Sequence, residues 1–440
     1  MGWLEDYKRK SVSADEAAKS IKSGDVLAIP VDTYVKAVSQ AIIRRRNELE
    51  NVQVLLRTAH TDLGWTDENL SPSFFVVADT QAGSSSVALT EKRMDFMPAL
   101  TSLRFKGNGD PRRDYLRKLD IVLVVVSPPD KSGYCTFGPY LSNKKDYTLS
   151  AKKVIAEVSD IPYMMAKTFG DNFIHVSEID YFVPHIPPPP VVREPEKWGK
   201  DEKTISDYVV SLIRNGDTIH LGPGLVTSSI PLLGDFHSMH DLGLHSTIMV
   251  HGIINLIREG VINGKQKNIN RGKAVSNGML PTCEEDFKFF DGNPLFETRM
   301  MSYVNNLQVI AAHDNMVAIN GVLAIDLDGQ IAMDSIGRQM FVGPGGGADF
   351  LIGSMLSRGG ASISVLRSTA SRGTVSRIVP TLERGTIVTI PRTFADFVVT
   401  EYGIAKLFGK TNKERAMELI AIAHPNFRYD LKKQAQKLFG

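Results

Sequence analysis

Two stretches of the chain share one pattern, and this repetition constrains the fold more than any other feature. The first reads IKSGD at Ile21–Asp25, and the second reads IRNGD at Ile213–Asp217. In each copy a helical pattern ends near the glycine, a short apolar strand follows, and a small-residue turn leads into another helical pattern. Gly24 and Gly216 suit the left-handed backbone position that closes a helix. The sequence therefore predicts two copies of one α/β unit.

The chain of 440 residues is too long for one compact core, so two or more domains are expected. A run of four prolines, Pro187–Pro190, stands between the two copies and favours an extended spacer. We therefore predict an N-terminal α/β domain over residues 1–186, a proline-rich linker over 187–200 and a C-terminal α/β domain over 201–440.

Apolar runs and periodicities locate individual elements within this plan. Strands are predicted at Phe74–Ala78, Ile121–Val126, Val154–Val158, Val309–Ala312, Met316–Asn320, Ser362–Leu366 and Ile387–Ile390. Helices are predicted at Asp201–Ile213, Ile253–Glu259, Ala348–Leu356 and Lys413–Ala423. Their alternation is typical of open, mostly parallel sheets that are covered by helices.

Composition argues against several classes of protein. The net charge of +2 gives no reason to expect binding to nucleic acid or to a membrane surface. No apolar run reaches the roughly 18 residues of a membrane span, and the polar N-terminus does not resemble a secretory signal. Cys135 and Cys283 lie far apart and form neither a disulfide framework nor a zinc motif. A cytoplasmic protein is therefore expected.

Four histidines fall close together, at His237, His240, His245 and His251. Histidine is the commonest metal ligand, but here no carboxylate or cysteine completes a recognised ligand pattern. We expect surface and packing roles for these histidines and no bound metal.

Two glycine-rich junctions lie between a predicted strand and a predicted helix in the C-terminal half. Gly222 and Gly224 form the first, and the segment around Gly343–Gly347 forms the second. Glycines allow the backbone to approach a ligand closely, and a helix N-terminus offers N–H groups to an anion. Neither junction has P-loop or Rossmann spacing, and each alone could be a plain turn. Together they favour a ligand that carries phosphate.

Longer phrases in the sequence resemble one enzyme family. They include SPPDKSGYCTFG, GDNFIHVSEID, DNMVAINGVLAIDLDGQIAMDSIG, GPGGGADF and VVTEYGIAKLFGK, and the matching phrases run in order between residues 20 and 430. These phrases resemble the acetyl-CoA hydrolase/transferase family, the type I CoA-transferases that include 4-hydroxybutyrate and butyrate–acetate CoA-transferases. The resemblance implies two tandem related open α/β domains. It also implies acyl-CoA and a small carboxylic acid as substrates, no metal, and a homo-oligomer.

The resemblance further implies a ping-pong reaction. In that family a glutamate attacks the acyl-CoA thioester, the CoA thiolate reopens the resulting anhydride, and a second acid takes the CoA by the reverse steps. Coenzyme A is then expected along the two glycine junctions. The residues assigned to it in this way are Gly222, Pro223, Gly224, Leu225, Val226, Gly343, Gly345, Gly346 and Gly347.

Two positions depart from the family pattern. Thr247, in DLGLHSTIM, stands where the family has its glutamate after a His-Ser or His-Thr pair. Gly347, in GPGGGADF, stands where the family has a glutamine. Because the surrounding phrases are intact, we expect altered or relocated chemistry on a retained CoA-binding fold.

Three interpretations of this departure stay open. A carboxylate from elsewhere in the chain could act as the nucleophile. Asp62 in the N-terminal copy is the first candidate, ahead of Glu68 and Glu297, and the alternative is that Asp62 is an exposed loop residue. Alternatively, water activated by a carboxylate, His60 or His245 could hydrolyse the thioester. The third interpretation is a catalytically impaired CoA-ester binder. CoA transfer is the leading interpretation, and the candidate catalytic residues are Asp62, His245 and Thr247.

Overall fold

The computed structural model describes the chain apart from residues 1, 32, 58–62, 79–85, 108–109, 162–164, 189–197, 280–282 and 344. The chain forms two compact units. Unit 1 comprises Met1–Arg193 and Cys283–Tyr303, and unit 2 comprises Glu194–Thr282 and Val304–Gly440. The change from unit 1 to unit 2 thus falls within the segment 187–200, but residues 283–303 belong to unit 1, which the sequence did not indicate.

The described strands are β1 Val26–Ile29, β2 Val52–Leu56, β3 Phe74–Ala78, β4 Asp95–Phe96, β5 Ile121–Val126, β6 Tyr134–Thr136, β7 Lys153–Val158, β8 Phe169–Gly170, β9 Phe173–His175, β10 Tyr181–Pro184, β11 Thr218–Leu221, β12 Gly243–Met249, β13 Ala274–Met279, β14 Phe296–Thr298, β15 Met316–Gly321, β16 Ala324–Asp326, β17 Ile331–Ala332, β18 Ser335–Ile336, β19 Gln339–Met340, β20 Ala361–Val365, β21 Thr369–Ala370, β22 Val375–Ser376, β23 Ile378–Val379, β24 Phe397–Thr400 and β25 Gly403–Lys406. The described α-helices are α1 Trp3–Lys10, α2 Ala14–Ala18, α3 Lys36–Arg44, α4 Ser86–Thr90, α5 Lys144–Ser150, α6 Lys200–Val210, α7 Ile230–Leu233, α8 Ile253–Arg258, α9 Glu284–Phe290, α10 Met301–Val304, α11 Leu307–Ala312, α12 Gly347–Leu356, α13 Asn412–Ala421 and α14 Pro425–Phe439.

Unit 1 is built on a parallel sheet with the strand order β10-β7-β5-β1-β2-β3-β4. Strand β5, IVLVVV, lies next to the central strand β1 and is buried along its whole length, as expected for a strand covered on both faces. The carboxyl ends of these parallel strands lie at one edge of the sheet, which is where ligands bind in open α/β folds.

Unit 1 also holds the late segment 283–303 through strand pairing and hydrogen bonds. Strand β14 pairs in parallel with β8. The Asp146 carboxylate accepts the backbone N–H of Met301 at 3.0 Å, and Asp171 accepts that of Met300 at 2.9 Å. Burial raises the pKa of Asp146. These bonds explain why 283–303 folds with the first unit although it is distant in sequence.

Unit 2 repeats the strand order of unit 1. Its strands follow the order β24-β20-β15-β11-β12-β13, with β25 added antiparallel at the β24 edge. In both units the first strand is central. The next strands along the chain lie on one side of it, β2 to β4 in unit 1 and β12 and β13 in unit 2, and the later strands lie on the other side. The prediction of two related α/β domains is therefore confirmed.

The repeated IKSGD and IRNGD segments have the same local structure. Gly24 and Gly216 both have a φ of +84°, the left-handed conformation predicted for them. Asp25 accepts the N–H of Lys22 at 2.8 Å, and Asp217 accepts that of Arg214 at the same distance. The helices end earlier, at Ala18 and Val210, so the two glycines do not close them as predicted. In both units the glycine instead lies in the turn directly before the strand, and the carboxylate holds that turn.

Two predicted strands are wrong. Val309–Ala312 lies in helix α11, which Asn306 caps by accepting the N–H of Gln308. Ile387–Ile390 contributes one isolated bridge, between Ile331 and Ile390, instead of a strand. Both are runs of about four apolar residues, a length at which periodicity does not distinguish strand from helix or loop.

Candidate active site in the second unit

Thr247 lies near the carboxyl end of β12 and begins a chain of buried hydrogen bonds. Its hydroxyl donates to Asn305 Oδ1 at 3.2 Å, and Asn305 Nδ2 donates to Asp349 Oδ2 at 3.3 Å. Asn305 and Asp349 are fully buried, whereas Thr247 keeps 8% of its surface exposed. Because Asp349 lies in the first turn of α12, this chain fixes the strand residue Thr247 relative to the start of the helix.

Gly346 places its backbone directly against these side chains. A Cβ atom at Gly346 would overlap Asn305 Nδ2 and would lie 2.6 Å from Thr247 Oγ1. Gly346 is also the N-cap of α12, and no side chain caps that helix end. The N-terminus of α12 therefore presents backbone N–H groups and the positive end of the helix dipole beside Thr247.

The first glycine junction meets the second at Asn320, in the neighbouring strand β15. A Cβ at Gly222, directly after β11, would collide with Asn320 Oδ1, and a Cβ at Gly347 would lie 3.3 Å from the same oxygen. Thr227 closes the first junction by donating its hydroxyl to the carbonyl of Gly222 at 2.6 Å. The fold thus brings together two glycine segments that are more than a hundred residues apart.

The other residues of the two junctions vary in exposure. Pro223 and Leu225 are exposed, Val226 is half-buried, and the indole N–H of Trp198 donates to the carbonyl of Leu225 at 3.3 Å. Gly343 is buried and Gly345 is half-buried. The exposed members could contact a bound ligand, whereas the buried ones set the path of the backbone.

His245 is fully buried in unit 2. Its Nε2–H donates to the carbonyl of Val304 at 2.9 Å, and its ring centre lies 4.3 Å from that of His313. Burial, followed by the neighbouring His313, lowers the pKa of His245 well below its ordinary value. This geometry favours a packing role for a neutral imidazole.

A second buried histidine, His220, holds Asn320 in place, and the sequence did not single out either residue. The oxygen Asn320 Oδ1 only accepts hydrogen bonds, so His220 Nε2, at 3.4 Å, is the protonated nitrogen. His220 Nδ1 lies 2.9 Å from the hydroxyl of Ser246, and its ring stacks on Phe350 at 3.6 Å. Burial lowers the pKa of His220 to about 3, which keeps this imidazole neutral.

Asp334 is a carboxylate near the glycine junctions that the sequence also left unmarked. Its neighbour Met333 packs against Gly347, where a Cβ would lie 2.5 Å from Met333 Cε. Thr389 donates its hydroxyl to Asp334 Oδ1 at 2.8 Å. Burial raises the pKa of Asp334 to about 6, in the range of groups that exchange protons near neutral pH.

The remaining candidates lie elsewhere. Asp62 and His60 fall outside the described residues. Glu68 is exposed, and Glu297 forms an ion pair with Arg299 at 2.9 Å. Within the described part of the chain, no group of three or more His, Cys, Asp or Glu side chains could hold a metal ion. No described helix is long and apolar enough to cross a membrane.

Comparison with known proteins gives consistent matches over the whole chain. The acetyl-CoA hydrolase/transferase N-terminal domain matches residues 3–192, and the C-terminal domain of the same family matches residues 284–435. A 4-hydroxybutyrate coenzyme A transferase of Clostridium kluyveri is 38% identical, with 100% of both chains covered.

Two solved structures resemble the chain over nearly its full length. RipA from Yersinia pestis is 26% identical with a TM-score of 0.89, and 100% of this chain and 99% of that chain are covered. A 4-hydroxybutyrate CoA-transferase from Porphyromonas gingivalis is 32% identical with a TM-score of 0.76, and the coverage is 99% of this chain and 100% of that chain.

Proposed function

The chain belongs to the acetyl-CoA hydrolase/transferase family, and from this premise we propose that it transfers coenzyme A between short-chain carboxylic acids. The observation that carries the proposal is the meeting of two glycine junctions at Asn320 in unit 2, with Thr247 against Gly346. Such a backbone-lined surface suits a long ligand that carries phosphate.

Coenzyme A is proposed to lie along Gly222–Val226 and Gly343–Gly347. The exposed Pro223 and Leu225 would contact the ligand, and the N-terminus of α12 would attract negative charge. Asn305 and Asn320 fix the side-chain layer beneath these segments through Asp349 and His220. The ligand would thus rest on backbone groups that are already positioned in unit 2.

Because position 247 holds a threonine in place of the family's glutamate, the nucleophile of this mechanism has to come from another residue. Transfer requires an enzyme carboxylate to attack the thioester carbonyl, so that the C–S bond breaks and CoA leaves as a thiolate. The thiolate then attacks the enzyme carboxyl carbon and releases the first acid; the second acid takes the CoA by the reverse of these steps, which frees the enzyme carboxylate. A threonine ester would be too stable to be reopened in this way. We therefore propose a nucleophile at another position, with Asp62 as the candidate.

Hydrolysis is the second candidate function, and the absence of a carboxylate at position 247 favours it. In this reaction water adds to the thioester carbonyl, the C–S bond breaks, and the proton passes to the thiolate to give a carboxylic acid and free CoA. No enzyme carboxylate is needed as a nucleophile. If the protein shows neither transfer nor hydrolysis, the remaining interpretation is a catalytically impaired CoA-ester binder.

The experiment incubates the purified protein with acetyl-CoA or butyryl-CoA, with and without isotopically labelled acetate. Appearance of label in acyl-CoA supports transfer, whereas release of free thiol without an acceptor acid supports hydrolysis. Borohydride is then added, because it reduces an enzyme-bound carboxyl–CoA thioester to an alcohol that mass spectrometry can locate. Turnover without any modified carboxylate would exclude the covalent transfer mechanism.

We also propose a cytoplasmic homo-oligomer. Cys135 is buried, Cys283 is exposed, and both are free thiols, which suits a reducing compartment. Light scattering of the purified protein measures the oligomeric state, and a monomer at micromolar concentration would refute that part of the proposal.

A further inference from the structure

Unit 2 carries a basic hairpin directly after strand β20, over Arg367–Arg377, which we call the arginine hairpin. Strands β21 and β22 pair antiparallel within it, and its tip bears the exposed Arg372. Residues 361–382 contain the three arginines Arg367, Arg372 and Arg377 and no aspartate, glutamate or lysine. The arginine hairpin is therefore a local concentration of positive charge in a chain whose net charge is +2.

Two carboxylates lie at the base of the arginine hairpin, and both are bound to other groups. Glu401 accepts the N–H of Ser368 at 2.9 Å and also the hydroxyl of the same serine. The buried Glu202 accepts hydrogen bonds from the guanidinium of Arg367. Arg377 is held only through its backbone, whose N–H donates to the carbonyl of Ser368 at 2.9 Å. The two carboxylates thus position the hairpin without neutralising Arg377 by direct contact.

The guanidinium of Arg377 makes no hydrogen bond or ion pair within the described part of the chain. The side chain is half-buried, but its nitrogens keep contact with solvent. Burial, followed by the charge of Arg367, lowers the pKa of Arg377, and the charge of Glu401 opposes this. A guanidinium offers five N–H donors in a planar fork that fits phosphate. An anion at Arg377 would therefore supply acceptors that the protein does not.

The arginine hairpin stands at the carboxyl edge of the sheet of unit 2, the edge at which ligands bind in open α/β folds. Strand β20 pairs with β15, so that Asn320 lies opposite Ser364. Arg367 lies three residues beyond Ser364, which is about 10 Å along the chain. A long ligand that starts beside Asn320 can extend to the arginine hairpin, whereas a short-chain carboxylic acid is too short to do so.

We infer that the arginine hairpin is a phosphate-binding site, with Arg377 as the principal donor and Arg367 and Arg372 adding positive charge. The identity of the ligand rests on the proposed function, in which the phosphate groups are those of CoA. The hairpin then holds the nucleotide end of the ligand, away from the thioester. This assignment gives binding energy to a part of CoA that takes no part in the reaction.

The first test measures arginine reactivity in the wild-type protein. Phenylglyoxal modifies guanidinium groups that it can reach, and mass spectrometry locates the modified residues. We expect modification of Arg377, and protection of this residue by inorganic pyrophosphate and by CoA. Arg358 is the internal control, because it precedes β20 at the opposite edge of the sheet and its side chain is 85% exposed. Neither ligand should protect Arg358.

The second test compares the affinity for CoA of the wild type and of two variants by calorimetry. Arg377→Gln should bind CoA at least about tenfold more weakly, the value of one charge-assisted hydrogen bond. Lys433→Gln is the matched control, because it removes the same charge from an exposed position on α14 and should change the affinity by less than about twofold. A smaller loss with 3′-dephospho-CoA assigns the hairpin to the 3′-phosphate, and an equal loss assigns it to the pyrophosphate.

The outcomes separate this inference from the proposed function. Protection of Arg377 by pyrophosphate in a protein that binds no CoA would support the phosphate site and refute the proposed CoA reaction. Binding of CoA that is equally tight in the wild type and in Arg377→Gln would overturn CoA as the ligand of the hairpin and leave the proposed function standing. Arg377 that neither ligand protects would overturn the phosphate site itself, and this measurement does not depend on how a variant folds.

Discussion

The backbone of Gly346 lies so close to Asn305 and Thr247 that Gly346→Ala tests the site directly. The new methyl group would overlap Asn305 Nδ2 and stand 2.6 Å from Thr247 Oγ1, well inside van der Waals contact. Asn305 cannot move away without giving up its bonds to Thr247 and Asp349. The substitution therefore forces either a shift of the loop or the loss of the hydrogen-bonded chain.

The expected cost follows from these contacts. Overpacking of this kind costs about 1–3 kcal/mol, and each lost hydrogen bond adds about 1 kcal/mol. We expect the free energy of unfolding to fall by about 2–4 kcal/mol and the affinity for CoA to fall by more than about tenfold. Urea unfolding measures the first quantity and calorimetry with CoA measures the second.

A matched control and a double variant make the reasoning refutable. Gly321→Ala adds a methyl group in the same unit where no atom lies within 4 Å, and it should change stability by less than about 1 kcal/mol. Because Asn305→Ala removes the nearest colliding atom, Gly346→Ala should cost less in that background. Equal costs in both backgrounds, or equal effects at Gly346 and Gly321, would show that the proposed contact is absent.

Three further predictions concern charge and chemistry. Thr247→Glu should create or raise acetate-dependent CoA transfer, whereas Thr247→Gln should not; no gain in a label-exchange assay would mean that the site differs in more than this residue. Burial lowers the pKa of His220 to about 3 and that of His313 to about 4, so the fold keeps both neutral while the unfolded chain binds protons below about pH 6.5. The contribution of these two groups to the free energy of unfolding should therefore be full above pH 6.5 and fall toward pH 4, by up to about 1.4 kcal/mol per pH unit for each group. In urea titrations His313→Gln should make this pH dependence less steep, and an unchanged pH dependence would contradict the lowered pKa of His313. Burial raises the pKa of Asp334 to about 6, so its stabilising contribution is present at low pH and is lost as the pH rises through 6. Asp334→Asn should therefore be more stable than the wild type at pH 7 by about 3 kcal/mol, with no difference below pH 4; a loss of stability at pH 7 would refute this.

The sequence by itself determined the family and the repeated architecture. Both follow from local information: Gly24 and Gly216 adopt the left-handed turn conformation through their own backbone preference, and six consecutive apolar residues predict β5 as a buried strand. The phrases that resemble the CoA-transferase family are also contiguous, so they identified the two glycine segments and Thr247 without coordinates.

Only the tertiary structure decided how those residues are held. Thr247 meets Asn305 across 58 residues of sequence, His220 meets Asn320 across 100, and Glu157 meets His185 across 28. Segment 283–303 joins unit 1 through Asp146 and Asp171. Such pairings depend on which strands become neighbours in the sheet, and no periodicity within a short window contains that information.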